Sequence, residues 1–318
     1  MDTYRQENMS KNVDQETRTP NWSAGAGYID GKFMPIAEAK IPVTDWAYRR
    51  SDVVYDVVSV WDGVFFRLDD HIARFRRSMN RYKFNIKETD EEIRTILHKL
   101  MALSGLRNAY VAMDCLRGQA APGVRSPVKA RNYLSCHAVP FSTLVPQDKI
   151  ERGIHMMVSS IPRIPHACVD ATAKNFHWGD LNLSMFEADE KGADYPVLLD
   201  LEGNVTEGPG FNVFTVTNGV VATPDYNMLE GVSRASAMDI CAELNIPFEV
   251  RKVSVAELRD ADEIFVSSTA GGVIGVSRID GRILNNDRPG PISEKIRETY
   301  WQKRLAGWHG EPVNYELE

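Results

Sequence analysis

Four times in this chain an Asp-Gly or Asn-Gly pair stands between two apolar runs: Asp30-Gly31, Asp62-Gly63, Asn218-Gly219 and Asp280-Gly281. The tightest two-residue reversals need positive φ at both central positions, and these residue types tolerate it, so each pair predicts a β-hairpin. Glu202-Gly203-Asn204 is a further turn signal. Strands joined this way run antiparallel, which weighs against a doubly wound parallel sheet.

Helical periodicity fills the intervals. Ile72, Phe75, Met79 and Tyr82 recur at helical spacing behind an acidic start near Asp69. Thr89 and Glu92 form a capping-box pattern ahead of Ile93, Ile96, Leu97, Leu100 and Leu103, and Gly105 suits the C-terminal cap. Amphipathic helices are expected near 180–191, 232–244 and 291–304, and strands at 108–116 and 131–138. The stretch from Val139 to Pro146 reads as an extended connection punctuated by proline. A single core rarely organises 318 residues. The expected organisation is therefore an N-terminal arm at 1–20, a small α+β domain at 21–140, a linker at 141–146 and a large domain at 147–318. The fold class is α+β.

Composition narrows the function. A formal charge of −7 with no basic tract makes nucleic acid an unsuitable partner. No apolar run approaches the roughly 20 residues that a membrane span requires, and residues 1–20 lack the apolar core of a secretory leader. Cys115, Cys136, Cys168 and Cys241 show neither CxxC nor Cys/His ligand spacing, so no metal and no disulfide framework is expected, and a reducing cytoplasm is the natural location. Neither GxGxxG nor a Walker pattern is present. The ligand should be a small molecule.

Four segments carry candidate chemistry. Lys174 sits among small and aromatic residues in Ala173-Lys174-Asn175-Phe176-His177-Trp178, where partial desolvation frees an amine for Schiff-base chemistry; a solvated surface lysine is the plainer alternative. Glu207 lies in Thr206-Glu207-Gly208-Pro209-Gly210-Phe211-Asn212, beside glycines that let a ligand approach the backbone; an exposed turn carboxylate reads the same way. Gly231-Val232-Ser233-Arg234 opens a helix whose free N–H groups suit an anion, although many helix starts bind nothing. Ser267-Ser268-Thr269-Ala270-Gly271-Gly272 follows an apolar strand and suits phosphate or an ordinary turn.

In that order and spacing the four segments resemble the fold-type IV pyridoxal-phosphate enzymes, which include branched-chain aminotransferases, D-amino acid transaminases and aminodeoxychorismate lyases. The (R)-selective amine transaminases are most similar, through Ser51-Asp52-Val53-Val54-Tyr55-Asp56-Val57, Ser59-Val60-Trp61-Asp62-Gly63, Phe66-Arg67-Leu68-Asp69-Asp70-His71-Ile72 and Trp178-Gly179-Asp180-Leu181. The likeness spans about residues 25–305. It implies pyridoxal 5'-phosphate as cofactor, borne by Lys174 as a Schiff base, with Glu207 at the ring nitrogen. Arg74, Val232, Ser233, Ser268 and Thr269 would hold the cofactor's phosphate end. Tyr55, Trp178, Thr269 and Ala270 would shape the substrate cavity. The substrates implied are a chiral primary amine and a keto acid such as pyruvate, and the assembly implied is a homodimer with the active site at the interface.

Two arginines depart from or extend the pattern. Arg50 stands where related amine transaminases carry histidine, and Arg125 lies in the Gly/Pro-containing loop after Arg117-Gly118 that corresponds to a mobile carboxylate reader. Either could bind the keto acid's carboxylate. The alternatives within the family are a D-amino acid transaminase, which two arginines near the pocket would suit, and an aminodeoxychorismate-type lyase.

Overall fold

The computed structural model describes residues 21–317, so the arm expected at 1–20 lies outside the described residues. Strands β1 (Ala26–Ile29) and β2 (Lys32–Pro35) form the opening hairpin, followed by the short helix α1 (Trp46–Arg50). Strand β3 (Val53–Trp61) turns into β4 (Val64–Phe66), then come helices α2 (Leu68–Arg81) and α3 (Asp90–Ser104) and strands β5 (Ala109–Leu116) and β6 (Tyr133–Pro140). Next are α4 (Gln147–Arg152), β7 (Ile154–Val158), α5 (Gly179–Glu190), β8 (Tyr195–Val197), β9 (Glu207–Gly208), β10 (Phe211–Thr217) and β11 (Val220–Thr223). Helix α6 (Val232–Glu243) precedes β12 (Phe248–Val250), α7 (Val255–Asp260), β13 (Glu263–Ser268), β14 (Gly272–Ile279) and β15 (Arg282–Ile283). Helix α8 (Pro291–Leu305) and β16 (Gly310–Pro312) come last.

The hairpin dipeptides do what their chemistry predicts. Asp30 and Gly31 take φ of 47° and 91°, and Asn218 and Gly219 take 51° and 78°, the double positive φ of the tight reversal. The same holds at Asp62-Gly63 and Asp280-Gly281. The capping box forms as read: Thr89 Oγ1 accepts from Glu92 N–H, Glu92 Oε2 accepts from Thr89 N–H, and Gly105 closes the helix in the left-handed region.

Two sheets result. The first runs β16-β4-β3-β5-β6-β1-β2 and is antiparallel throughout. The second runs β12-β11-β10-β13-β14-β7-β8, with β15 on β14 and β9 on β10. Pairing is largely antiparallel, as expected; the exceptions are β7, which pairs parallel with both β14 and β8, and β11, which pairs parallel with β12. Parallel neighbours are reached by crossovers, which leave no turn dipeptide to read. The first sheet takes β1 to β6 and β16, which returns from the far end of the chain to pair with β4, and the second takes β7 to β15.

Alternation along β3 decides which face does what. Val54, Val58 and Val60 pack with Phe75 of α2 and Leu97 and Leu100 of α3 into one buried core. In the second part, α6 and α8 cover Phe214 and Phe265 with Ile240, Ile296 and Tyr300. The other face of the first sheet presents Tyr55, Val57 and Tyr110 to a cavity shared with loops of the second part.

Candidate active site

Lys174 is fixed first through its main chain. Its N–H donates to Ser78 Oγ on α2 at 3.0 Å, its carbonyl accepts from the Tyr55 N–H at 3.0 Å, and Asn175 bridges Val54. An irregular segment of the second part is thereby docked beside β3. The half-buried Lys174 side chain lines a cavity of ≈390 Å³, and its Nζ stands 4.3 Å from the centre of the Tyr55 ring. Burial first, and the Arg74 charge second, lower the lysine's pKa from its ordinary value. That favours the neutral amine, the form that can attack a carbonyl or accept a proton.

Glu207 enters from β9, opposite Asn212 of β10. It is 6% exposed; Oε1 accepts from Arg163 Nε at 3.1 Å and Oε2 from the Leu229 N–H at 2.9 Å. Arg163, also buried, uses Nη1 to reach Asp180 Oδ2 at 2.7 Å. Burial raises the Glu207 carboxyl from its ordinary value, and the Arg163 charge and the Leu229 N–H pull against that. Arg163 is thus a bridge between two buried carboxylates, one of which lines the cavity.

On the anion side, Arg74 projects from α2 and is held by Asp56, with Nε donating to Oδ2 at 2.7 Å and Nη2 to Oδ1 at 2.8 Å. His71 Nδ1 sits 2.8 Å from the same Oδ1. Asp56 is fully buried, and desolvation alone would push its carboxyl up; the Arg74 charge and the hydrogen bonds from Arg74 and His71 outweigh that and hold it well below the usual carboxylate range. Helix α6 follows Gly231 with no side-chain cap, so the first N–H groups, at Val232 and Ser233, are left without one where those residues line the cavity. Thr269 and Ala270 line the same space, and so does Ser267, whose buried Oγ has no hydrogen-bond partner among the described residues. An uncapped helix start, an orphaned hydroxyl and a fixed arginine make a donor set suited to a phosphate group. A carboxylate and an amine line the rest of the same cavity, as a protonated pyridine ring carrying an aldehyde requires. The residues present fit pyridoxal phosphate.

The structure gathers most of the residues read from sequence. Lys174, Glu207, Arg74, Val232, Ser233, Ser268, Thr269, Ala270, Tyr55 and Trp178 all line this cavity. Ser268 Oγ donates to the Gly210 carbonyl at 2.8 Å, so its hydroxyl proton ties two loops together. Arg50 and Arg125 are not brought in: both are exposed, and Arg50 stacks on Trp46 at 3.8 Å. Sequence reasoning missed Arg163, Asp56, His71 and Tyr110. A signal existed for Asp56, a charge inside the apolar run Val53-Val54-Tyr55-Asp56-Val57-Val58, which demands a buried partner. Arg163 offered none.

Comparison with known proteins gives a consistent result. Residues 53–279 match the family model described as amino-transferase class IV. A Methanocaldococcus jannaschii protein assigned as a branched-chain-amino-acid aminotransferase is 30% identical over 275 residues, covering 86% of this chain and 94% of that one. The D-alanine aminotransferase of Bacillus licheniformis is 24% identical over 271 residues, covering 85% and 93%. Among solved structures, the branched-chain amino acid aminotransferase of Thermobaculum terrenum in its PLP-bound holo form superposes with a TM-score of 0.81 at 25% identity, over 93% of this chain and 99% of that one.

Proposed function

The chain belongs to the class IV aminotransferases, and from that premise we propose that it moves an amino group from an (R)-configured chiral primary amine to a keto acid such as pyruvate. It is a pyridoxal-phosphate enzyme of fold type IV. When bound, pyridoxal phosphate supplies the carbonyl carbon that takes the amino group and a ring that accepts an electron pair. In this reading Arg74, Val232, Ser233 and Thr269 hold the phosphate, Ser268 fixes the loop beside them, and Glu207 holds the proton on the ring nitrogen. Lys174 Nζ would take the proton from the donor carbon as a base and, as an acid, deliver it to the cofactor carbon that takes the amino group. Tyr55 and Trp178 wall the substrate space.

The observation that supports an amine donor is the state of the cavity's cations. Among the described residues, the cationic side chains lining it besides Lys174 are Arg74 and Arg163, and both are committed to carboxylates. Tyr55, Val57, Tyr110, Leu144, Leu181 and Met185 give the remaining wall an apolar character suited to an alkyl or aryl group. The keto acid's carboxylate then needs a reader from outside, and Arg125 on the exposed β5–β6 loop, or Arg50 on α1, supplies it when that substrate arrives. Exposed Tyr48, Phe176, Leu183 and Phe186 support a homodimer.

Borohydride reduction of the holoenzyme should trap the cofactor on Lys174, and peptide mapping to another lysine would overturn that role. Rates with pyruvate should be highest on (R)-1-phenylethylamine, low on its mirror image and low on D-alanine. Preference for D-alanine would instead support the D-amino acid transaminase reading, which the likeness to the Bacillus licheniformis enzyme favours. Product formed from an aminated chorismate without any keto acid would support the lyase.

A further inference from the structure

A second cavity of ≈540 Å³ opens beside the first, and Tyr55, Trp178 and Asn182 line both. Its wall is largely apolar, with Val53, Leu116 and Phe176, and among the described residues Asp114 is its one charged lining residue. Asp114 on β5 stands opposite Tyr55 on β3 and Ser135 on β6. Directly opposed residues share a face, with Cβ atoms about 5 Å apart. Lys174 Nζ lies 4.3 Å from the centre of the Tyr55 ring, so Tyr55 packs against the reactive amine and is also the cross-strand partner of Asp114.

Asp114 is short of a partner. Its side chain is 14% exposed, and among the described residues the only basic nitrogen within ion-pair range is His137 Nδ1 at 3.8 Å. Burial lowers the pKa of His137, which leaves that imidazole neutral and unable to supply a cation at pH 7. With no opposing charge, burial raises the Asp114 carboxyl to about 7. The other groups facing it are Tyr55 on β3, Ser135 on β6, Phe176 and Trp178 on the Lys174 segment and Asn182 on α5, all uncharged there. A carboxylate in such a wall is stabilised when something entering the cavity brings a positive charge or a strong donor, and it repels an entering anion.

We propose that Asp114 is a specificity-determining residue: it reads the far end of the amine donor, so that this cavity selects donors carrying a second, protonated nitrogen and rejects those ending in a carboxylate. The inference rests on the aminotransferase site at Lys174. It adds a substrate class to that site.

Two donor series test it, each keeping the reacting end and changing only the far end. The first is hexane-1,5-diamine, hexan-2-amine and 5-aminohexanoate, and the second is D-lysine, D-norleucine and D-2-aminoadipate. In whichever series the holoenzyme turns over with pyruvate, kcat/KM for the cationic member should exceed that for the methyl-ended member by roughly 10- to 100-fold, the range of a charge-assisted hydrogen bond. The carboxylate-ended member should be slowest. Asp114→Asn should bring all three within a few-fold, and Asp114→Glu should restore the order. An unchanged order in Asp114→Asn, or a wild-type preference for the carboxylate end, would overturn the proposal. Equal losses on all three donors would also overturn it, assigning Asp114 to the sheet or to a subunit contact. Which series turns over judges the (R)-amine reading separately. Independently of turnover, pentane-1,5-diamine should raise the holoenzyme's Tm and fail to do so in Asp114→Asn; no rise in the wild type counts against the proposal.

Discussion

At the residue scale the site is a set of charges kept in particular states by neighbours distant in sequence. Arg163 is the clearest case, since it donates to Glu207 and Asp180 from within the interior. Arg163→Met should leave two buried carboxylates uncompensated and destabilise the fold by about 3–5 kcal/mol, measurable by urea denaturation of the holoenzyme. It should also lift the Glu207 carboxyl further above its ordinary value, because the guanidinium that pulls it down is gone. The charged carboxylate then persists only at higher pH, so the acidic limb of the pH–rate profile should move to higher pH; an unmoved limb would separate Glu207 from catalysis. Asp114 gives a second pH effect of opposite character. Its carboxyl is raised to about 7 in the fold, against about 4 unfolded, so its protonated form stabilises the native state at low pH and that contribution fades as pH rises to about 7. Wild type should therefore lose on the order of 1–2 kcal/mol relative to Asp114→Asn between about pH 5 and pH 7, with no further divergence above about pH 8. Parallel melting curves throughout would contradict this. Lys174, Glu207, Val232, Ser233 and Thr269 were legible because each sits in a short contiguous pattern. Arg163, His71 and Tyr110 were not, since what they do depends on a partner that only folding brings near.

At the element scale, the turn into α6 matters most for binding. A Cβ on Gly231 would lie 2.0 Å from Asn212 Oδ1, and Asn212 also donates to the Leu229 carbonyl at 2.7 Å. Gly231→Ala should displace that turn and spoil the aim of the following N–H groups. Helix-start contributions to anion binding run up to about 2 kcal/mol, so cofactor affinity should fall roughly 3- to 30-fold by absorbance titration, with the far-ultraviolet circular dichroism retained. An affinity equal to wild type would place the phosphate elsewhere. The hairpins and the capped helix α3 were readable in the sequence because their determinants are a few residues apart. Strand β7 was not, because Ile154–Val158 takes its place from parallel neighbours across crossovers. The short helices α1, α4 and α7 gave too few turns to show a period.

At the scale of the whole molecule, the two sheets are sewn together at the chemistry. The Lys174 segment belongs to the second part by sequence but is held by Ser78, Val54 and Tyr55 of the first, so a cut between them could not leave a working half. Two lobes could be expected from length and from the proline-rich stretch before Pro146. The return of β16 could not, since Gly310-Glu311-Pro312 has no strand signature of its own. That strand covers β4, and Val313 adds to the core of the first part. Removing residues 307–318 should expose the β4 edge, lower Tm by several degrees and promote association, visible by light scattering; an unchanged Tm would show the strand to be dispensable.

The pairing of β16 with β4 also sets an order of events during synthesis. A ribosome finishes β1 to β6 long before it reaches Gly310, so the emerging first sheet waits with its β4 edge open while the rest of the chain is made. The most aggregation-prone moment in this protein's life is thus the interval of its own translation, and slow elongation through the later codons would lengthen it.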